Sequence, residues 1–416
     1  LQLDDERDLD SGLQLGIDFV AASFVQTADD VLTVRRFLEQ HTPAATEPPE
    51  IIAKIETRQG VDNLASIIEV SDGVMVARGD LGLEVPTEEI PFIQKQIIQK
   101  VRAAGKPVIT ATQMLESMVQ HPRPTRAEAT DVANAILDGT DAVMLSAESA
   151  SGRYPLEAVK MMARIAERAD AQPRPQPVTI NHASNVTGAV GRASVSAAEA
   201  LSAAAIITPT ASGRTPRLVG SLRPQTQILA MTYDERVARR LSVVWGVQAD
   251  VVQPAASTDE MVEMAVERAL SRGLIAHGDV VVITAGFPVG VSGTTNTIKV
   301  HTVAAIMARG AGMGHRAASG RAVVVGSKAQ PLPQVTEEDV LFAAAITPEL
   351  VPLARRACAL VVEEAGLSSG SAVIALNLDK PAILGATNVT RLVRGGDVVT
   401  VDGIHGILYR GKVIQI

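Results

Sequence analysis

Aromatic residues make up only 2% of this 416-residue chain, and cysteine occurs once, at Cys358. Its cores must therefore be built from Ala, Val, Ile and Leu, within an apolar fraction of 46%. That composition suits α/β proteins, whose buried parallel strands are rich in β-branched residues. A single cysteine excludes an internal disulfide and any multi-cysteine zinc site, and fits a reducing cytoplasm. No apolar run approaches the ~20 residues that a membrane-spanning helix needs. The acidic start, Leu1 to Glu6, has no signal-peptide apolar region and no initiator Met, which reads as the mark of a fragment. A formal net charge of −8 is a poor match for nucleic acid or an anionic membrane.

The length predicts two or three domains. The first part, residues 1–170, alternates strand and helix. Apolar runs at Phe19–Phe24, Ile51–Ile55, Val74–Ala77, Val108–Ala111 and Ala142–Leu145 read as buried strands. Helical spacing marks Ala28–Glu39, Gly60–Glu69, Glu88–Ala103, Thr125–Leu137 and Pro155–Arg168. This rhythm predicts a parallel sheet covered by helices. The units form either an open sheet or the later part of a (β/α)8 barrel. The proline-containing stretch Ala169–Val178 reads as a linker to a second α/β region, 171–311. The glycine-rich stretch Arg309–Gly320 reads as another linker, before a last domain at 321–416.

The chemistry concentrates at predicted strand ends. In Ile52-Ala53-Lys54-Ile55-Glu56, strand alternation points Lys54 and Glu56 the same way. They are either a surface ion pair or, given their apolar neighbours, a functional pair. One unit later, Arg78-Gly79-Asp80-Leu81-Gly82 places Asp80 where it can converge with Glu56. Two carboxylates without His or Cys favour Mg2+ or Mn2+; an ordinary Gly-Asp turn explains the motif as well. Thr112 ends the fourth predicted strand. Thr125 and Glu128 read as a capping box, a sufficient structural explanation for that pair. Met144-Leu145-Ser146-Ala147-Glu148 ends the fifth strand, or is a simple strand-to-helix loop.

Together these motifs resemble pyruvate kinase, in register through Ile51–Ile55, Gly73–Leu83, Gly105–Met118, Pro122–Leu137 and Ala142–Glu157. The resemblance implies phosphoryl transfer from phosphoenolpyruvate to ADP, giving pyruvate and ATP. It implies that Glu56 and Asp80 hold the divalent ion and that Lys54 neutralises the phosphoryl group. The backbone of Ala77, Gly79 and Asp80 would hold the substrate carboxylate, and Ser23 would lie near the phosphates. Thr112 would help protonate the enolate. Ser146 and Glu148 would belong to the proton relay or its support, and Arg78 would be structural. The implied fold is strands four to eight of a (β/α)8 barrel, then an α/β regulatory domain and a small swivelling domain. The first three strands, the lid domain, and the potassium and nucleotide contacts are not in the chain, so it is expected not to turn over alone. K+ dependence, a homotetramer and a cytoplasmic location are family expectations.

The loop Thr208–Thr215 offers hydroxyls, Gly213 and Arg214 before a predicted helix. Either it binds an anion or Ser212 or Thr215 simply caps the helix. The resemblance favours binding of a phosphorylated sugar or AMP through Thr210, Ser212, Gly213, Arg214 and Thr215, with Gly286–Thr295 as companion loop. The last domain resembles the swivelling domain of phosphoenolpyruvate-utilising enzymes through Glu363–Ala372 and Lys380–Gly385. Phosphotransfer versions carry His where this chain has Gly370, so no nucleophile is present and His405 reads as a loop residue. Gly370 argues against a histidine-phosphorylating dikinase, and Gly105–Leu137 against a metal-dependent aldolase or lyase. A non-catalytic module stays open, and no P-loop motif occurs.

Overall fold

The computed structural model describes residues 2–43, 46–172, 186–255, 257–286, 295–303, 305–326, 332–411 and 413. Two compact units emerge, one of Leu1–Ala269 with Val282–Lys299, the other of Leu270–Val281 with Val300–Ile416.

The first unit opens with a parallel five-stranded sheet in sequence order. Its strands are β1 (Phe19–Ala22), β2 (Glu50–Ile55), β3 (Gly73–Ala77), β4 (Val108–Ala111) and β5 (Ala142–Val143). Ile51, Ala53, Ile55, Val74, Val76 and Val108 are buried against intervening helices, as β-branched strands of a helix-covered sheet require. Among the described residues this sheet does not close, and β1 and β5 are its edges. Acidic residues stitch the strand starts. Asp72 accepts the Ile51 N–H at 2.8 Å and Asp141 accepts the Val108 N–H at 2.9 Å. Each carboxylate opening one strand thus fixes the first amides of the strand before it.

The second sheet has the order β10-β9-β6-β7-β8, from β6 (Ala205–Pro209), β7 (Gln227–Thr232), β8 (Val247–Val251), β9 (Val280–Gly286) and β10 (Thr295–Thr302). Strands β6, β7 and β8 are parallel. The third sheet is mixed and has eight strands, ordered β11-β18-β17-β13-β14-β15-β16-β12. These are β11 (Ala305–Arg309), β12 (Ala311–Met313), β13 (Ala317–Val325), β14 (Asp339–Ala343), β15 (Ala359–Val362), β16 (Ala382–Leu384), β17 (Val398–Asp402) and β18 (Ile407–Arg410).

The expected linker Arg309–Gly320 is instead β-structure. Its glycines serve close packing. A Cβ at Gly310 would lie 2.3 Å from the Leu384 carbonyl oxygen, and one at Gly312 would lie 2.6 Å from the Gly406 nitrogen. The predicted helix Gly60–Glu69 is two helices, Arg58–Asp62 and Leu64–Val70, divided at Asn63. Most of the proline-containing linker (173–178) and of the companion loop (287–294) lies outside the described residues.

Candidate active site

Glu56 directly follows β2 and is 1% exposed, although it carries a carboxylate. One of its oxygens accepts the Phe24 N–H at 2.6 Å and the other meets Lys54 Nζ at 2.8 Å. Lys54 Nζ also donates to Ser23 Oγ at 2.8 Å. The Lys54 side chain keeps 23% exposure, so its ammonium sits between a buried carboxylate and solvent. Ser23, Lys54 and Glu56 are therefore gathered at the C-terminal ends of β1 and β2. That is the edge where barrel enzymes place their chemistry. A surface ion pair does not describe this pair, because its acidic half is buried.

Strand β3 lies parallel to β2, with Val76 opposite Ile55, and ends at Ala77. The helix Arg78–Glu84 starts at once, and Asp80 sits exposed in its first turn. Asp80 and Glu56 are thus carried on the ends of neighbouring parallel strands. Among the described residues no group of three or more His, Cys, Asp or Glu gathers to hold a metal ion. The pair fits Mg2+ or Mn2+, hard ions that are commonly held by one or two carboxylates and completed by substrate oxygens and water.

Thr112 has φ +66 and Gln113 φ +53, left-handed values that non-glycine residues seldom adopt. This turn aims Thr112 Oγ1 at the next strand end, where it accepts the Gly79 N–H at 2.8 Å and donates to the Ala111 carbonyl at 2.6 Å. Arg78 locks the turn from below. Its guanidinium donates to the carbonyls of Thr112 and Gln113 and pairs with Asp131 at 2.7 Å. Arg78 is buried and acts on the frame, not on solvent. Phe24, after β1, is also left-handed at φ +54. The left-handed non-glycine residues of this sheet region all follow strand C-termini, the pattern of backbone strain kept at working sites. Sequence reasoning gave no sign of Phe24, since nothing in an apolar run marks a positive φ.

Glu148 is buried and accepts the Ser146 N–H at 2.7 Å and the Leu115 N–H at 3.1 Å. Both oxygens are engaged by backbone amides, so it ties the loop after β4 to the loop after β5. Glu128 caps Thr125 as expected, and it also takes the Ser117 N–H and hydroxyl. Burial pushes its carboxyl up, but the bonds from Ser117 and Thr125 outweigh that and leave it below its ordinary value.

In the second α/β region, the helix Arg214–Ser221 is capped by Gly213 in a left-handed conformation, with no side-chain cap. Neither Ser212 nor Thr215 does the capping. Thr215 Oγ1 is buried on Thr295 Oγ1 at 2.6 Å, and Thr210 Oγ1 accepts the Gly213 N–H at 2.9 Å. Ser212 and Arg214 are left on the exposed side of the loop. In the last domain, Gly370 begins the helix Gly370–Asn377, capped by Ser369. A Cβ at Gly370 would meet nothing within 4 Å, and Glu364 is bonded to the Ser371 hydroxyl. His405 lies in the β17–β18 turn, its Nδ1 2.8 Å from Asp402.

Comparison with known proteins agrees with this layout. Residues 1–159 match the pyruvate kinase barrel domain, 188–301 the pyruvate kinase alpha/beta domain, and 335–406 the mobile domain of PEP-utilising enzymes. The chain is 47% identical to the pyruvate kinase of Geobacillus stearothermophilus over 411 residues, covering 98% of this chain and 70% of that protein. It is 46% identical to that of Bacillus licheniformis, and 44% to pyruvate kinase 2 of Synechocystis, where it covers 68% of the relative. A crystal structure of a pyruvate kinase from Cryptosporidium parvum matches 73% of this chain, with TM-score 0.66 and 39% identity, the match covering 62% of that chain. The chain belongs to the pyruvate kinase family, glycolytic phosphotransferases that turn phosphoenolpyruvate and ADP into pyruvate and ATP.

Proposed function

We propose that residues 23–148 supply the metal-binding and phosphoenolpyruvate-binding side of the active site. The observation that carries this is Glu56, a buried carboxylate at a strand end that shares Lys54 with Ser23. A buried ion pair that stabilises the fold only weakly has reason to exist where chemistry needs it. Glu56 and Asp80 would hold Mg2+ or Mn2+, which supplies neutralisation of charge on the phosphoryl oxygens. Lys54 places a fixed positive charge beside them, and phosphoryl transfer depends mainly on such positioning and charge stabilisation.

The amides at the start of the helix Arg78–Glu84 face the substrate carboxylate, with Thr112 holding Gly79 in place. For Thr112 to pass a proton to an enolate carbon, its hydroxyl must first turn away from the Ala111 carbonyl. Ser146 and Glu148 position the loops around the site. The fit of Glu148 to two amides supports a positioning role and gives it no free oxygen for proton relay. The nucleotide and K+ contacts come from outside residues 1–416, and a homotetramer in a reducing cytoplasm is the expected setting.

Titration calorimetry of phosphoenolpyruvate, with Mn2+ present, tests this on the 416-residue chain. Lys54→Met removes a charge-assisted contact and is expected to weaken binding by about ten- to hundredfold. Unchanged binding in a folded Lys54→Met variant would remove the assignment.

A further inference from the structure

The first unit contains a cavity of about 790 Å3 away from the strand ends. Ser212, Arg214 and Arg217 line it from the second α/β region, and Asp72, Gly105 and Lys106 from the barrel part. Three of these six side chains are cationic. Lys106 spends its ammonium on the carbonyls of Ile68, Glu69 and Ser71, and Asp72 is paired with Arg35. The exposed group on the rim is Arg214, beside Ser212.

Two of the lining residues also hold the start of β2. Arg217 Nη2 lies 2.7 Å from both oxygens of Glu50, and its Nε is buried without a hydrogen-bond partner. Asp72 accepts the N–H of the next residue, Ile51. The far end of the same six-residue strand carries Lys54, with Glu56 following it. A strand paired on both sides moves as a unit, so its first residues and its last cannot shift independently.

We propose that this cavity binds a small phosphate-bearing anion through Ser212 and Arg214, and that occupancy is transmitted through the Arg217–Glu50 pair along β2 to Lys54 and Glu56. The proposal rests on reading Thr210–Thr215 as an anion site. It adds that the site has a barrel wall and names the link between them. The volume is that of an ordinary small-ligand site, large enough for a sugar monophosphate. Glu50 is a sensitive link because burial pushes its carboxyl up while Arg217 pulls it down. If Arg217 swings toward a bound anion, Glu50 is left half-buried without its partner, and β2 loses one of its anchors.

The test uses glucose 6-phosphate and, separately, inorganic phosphate as probes on the 416-residue chain. Binding is read by calorimetry and transmission by hydrogen exchange of the β2 amides. Glucose 6-phosphate is expected to bind and to change β2 exchange about fivefold, the scale of a modest coupling. Arg214→Met is expected to lose binding. Glu50→Gln and Arg217→Met are expected to bind within about threefold of the parent yet lose the exchange change. Glu50→Gln is nearly isosteric and guards against simple misfolding of the arginine variant. Equal effects from inorganic phosphate assign the cavity to the phosphate group alone and support the proposal. Binding unaffected by Arg214→Met, or no binding to the parent, overturns the anion reading itself. An exchange change that survives in both Glu50→Gln and Arg217→Met overturns the transmission alone.

Discussion

Glu56, Glu128 and Glu148 are carboxylates of one sheet region with three different employments. Glu56 faces Lys54 and the candidate metal position. Glu148 is consumed by two backbone amides. Glu128 serves the helix start at Thr125 and the loop at Ser117. Replacing Glu128 with Gln removes the charged acceptor, and the capping scale sets the expected loss of stability at about 1 kcal/mol at neutral pH. Its folded pKa is lowered, so the stabilisation is present above the ordinary carboxylate value of about 4.3 and is lost as pH falls through the folded value. Urea unfolding of both proteins at pH 7 and pH 3 checks this. The difference should shrink at pH 3, and a gap that widened on acidification would refute the assignment. At Gly139, φ is +99 and a Cβ would lie 2.3 Å from Arg102 Nη1. Gly139→Ala is expected to cost about 1–3 kcal/mol in the same assay, from backbone strain and displacement of the arginine.

At the scale of elements, apolar runs bounded by turn residues were enough to find β1 to β5, because a helix-covered strand is apolar on both faces. Val74–Ala77 and Val108–Ala111 are strands to within a residue of what the sequence implies. Strand β8, Val-Gln-Ala-Asp-Val, escaped notice because it is only half-buried and breaks its apolar pattern with Gln248 and Asp250. Strand β12, Ala-Gly-Met, looked like linker because glycine signals both freedom and close approach, and only the neighbouring backbone distinguishes them. The site shows the same division. Lys54 and Glu56 were legible from strand alternation. The engagement of Thr112 with Gly79, and of Glu148 with Leu115, depends on loops between strands and on left-handed turns that residue type does not announce. The same applies to Arg78, whose partners lie 16 to 53 residues away in sequence.

At the scale of the whole chain, a parallel sheet with two edges cannot close a barrel. The 416-residue chain by itself is therefore expected to form no pyruvate above background with phosphoenolpyruvate, ADP, Mg2+ and K+ at saturation. A lactate dehydrogenase-coupled assay reads this directly, and steady turnover at the rate of a typical enzyme, about 10 per second, would contradict it. The last domain has open space at Gly370 and no histidine there. Incubation with labelled phosphoenolpyruvate should leave no acid-labile phosphate on the protein, and a labelled phosphohistidine peptide would bring back the dikinase reading.

Binding of the divalent ion at the ends of β2 and β3 is the claim on which the account turns. Titration of Mn2+ followed by electron paramagnetic resonance, with and without phosphoenolpyruvate, addresses it most directly. The parent chain is expected to bind one ion, more tightly when phosphoenolpyruvate is present. Asp80→Asn, at an exposed position that should leave the fold intact, and Glu56→Gln are each expected to weaken that binding by about tenfold or more. Parent-like Mn2+ affinity in both folded variants would contradict the account.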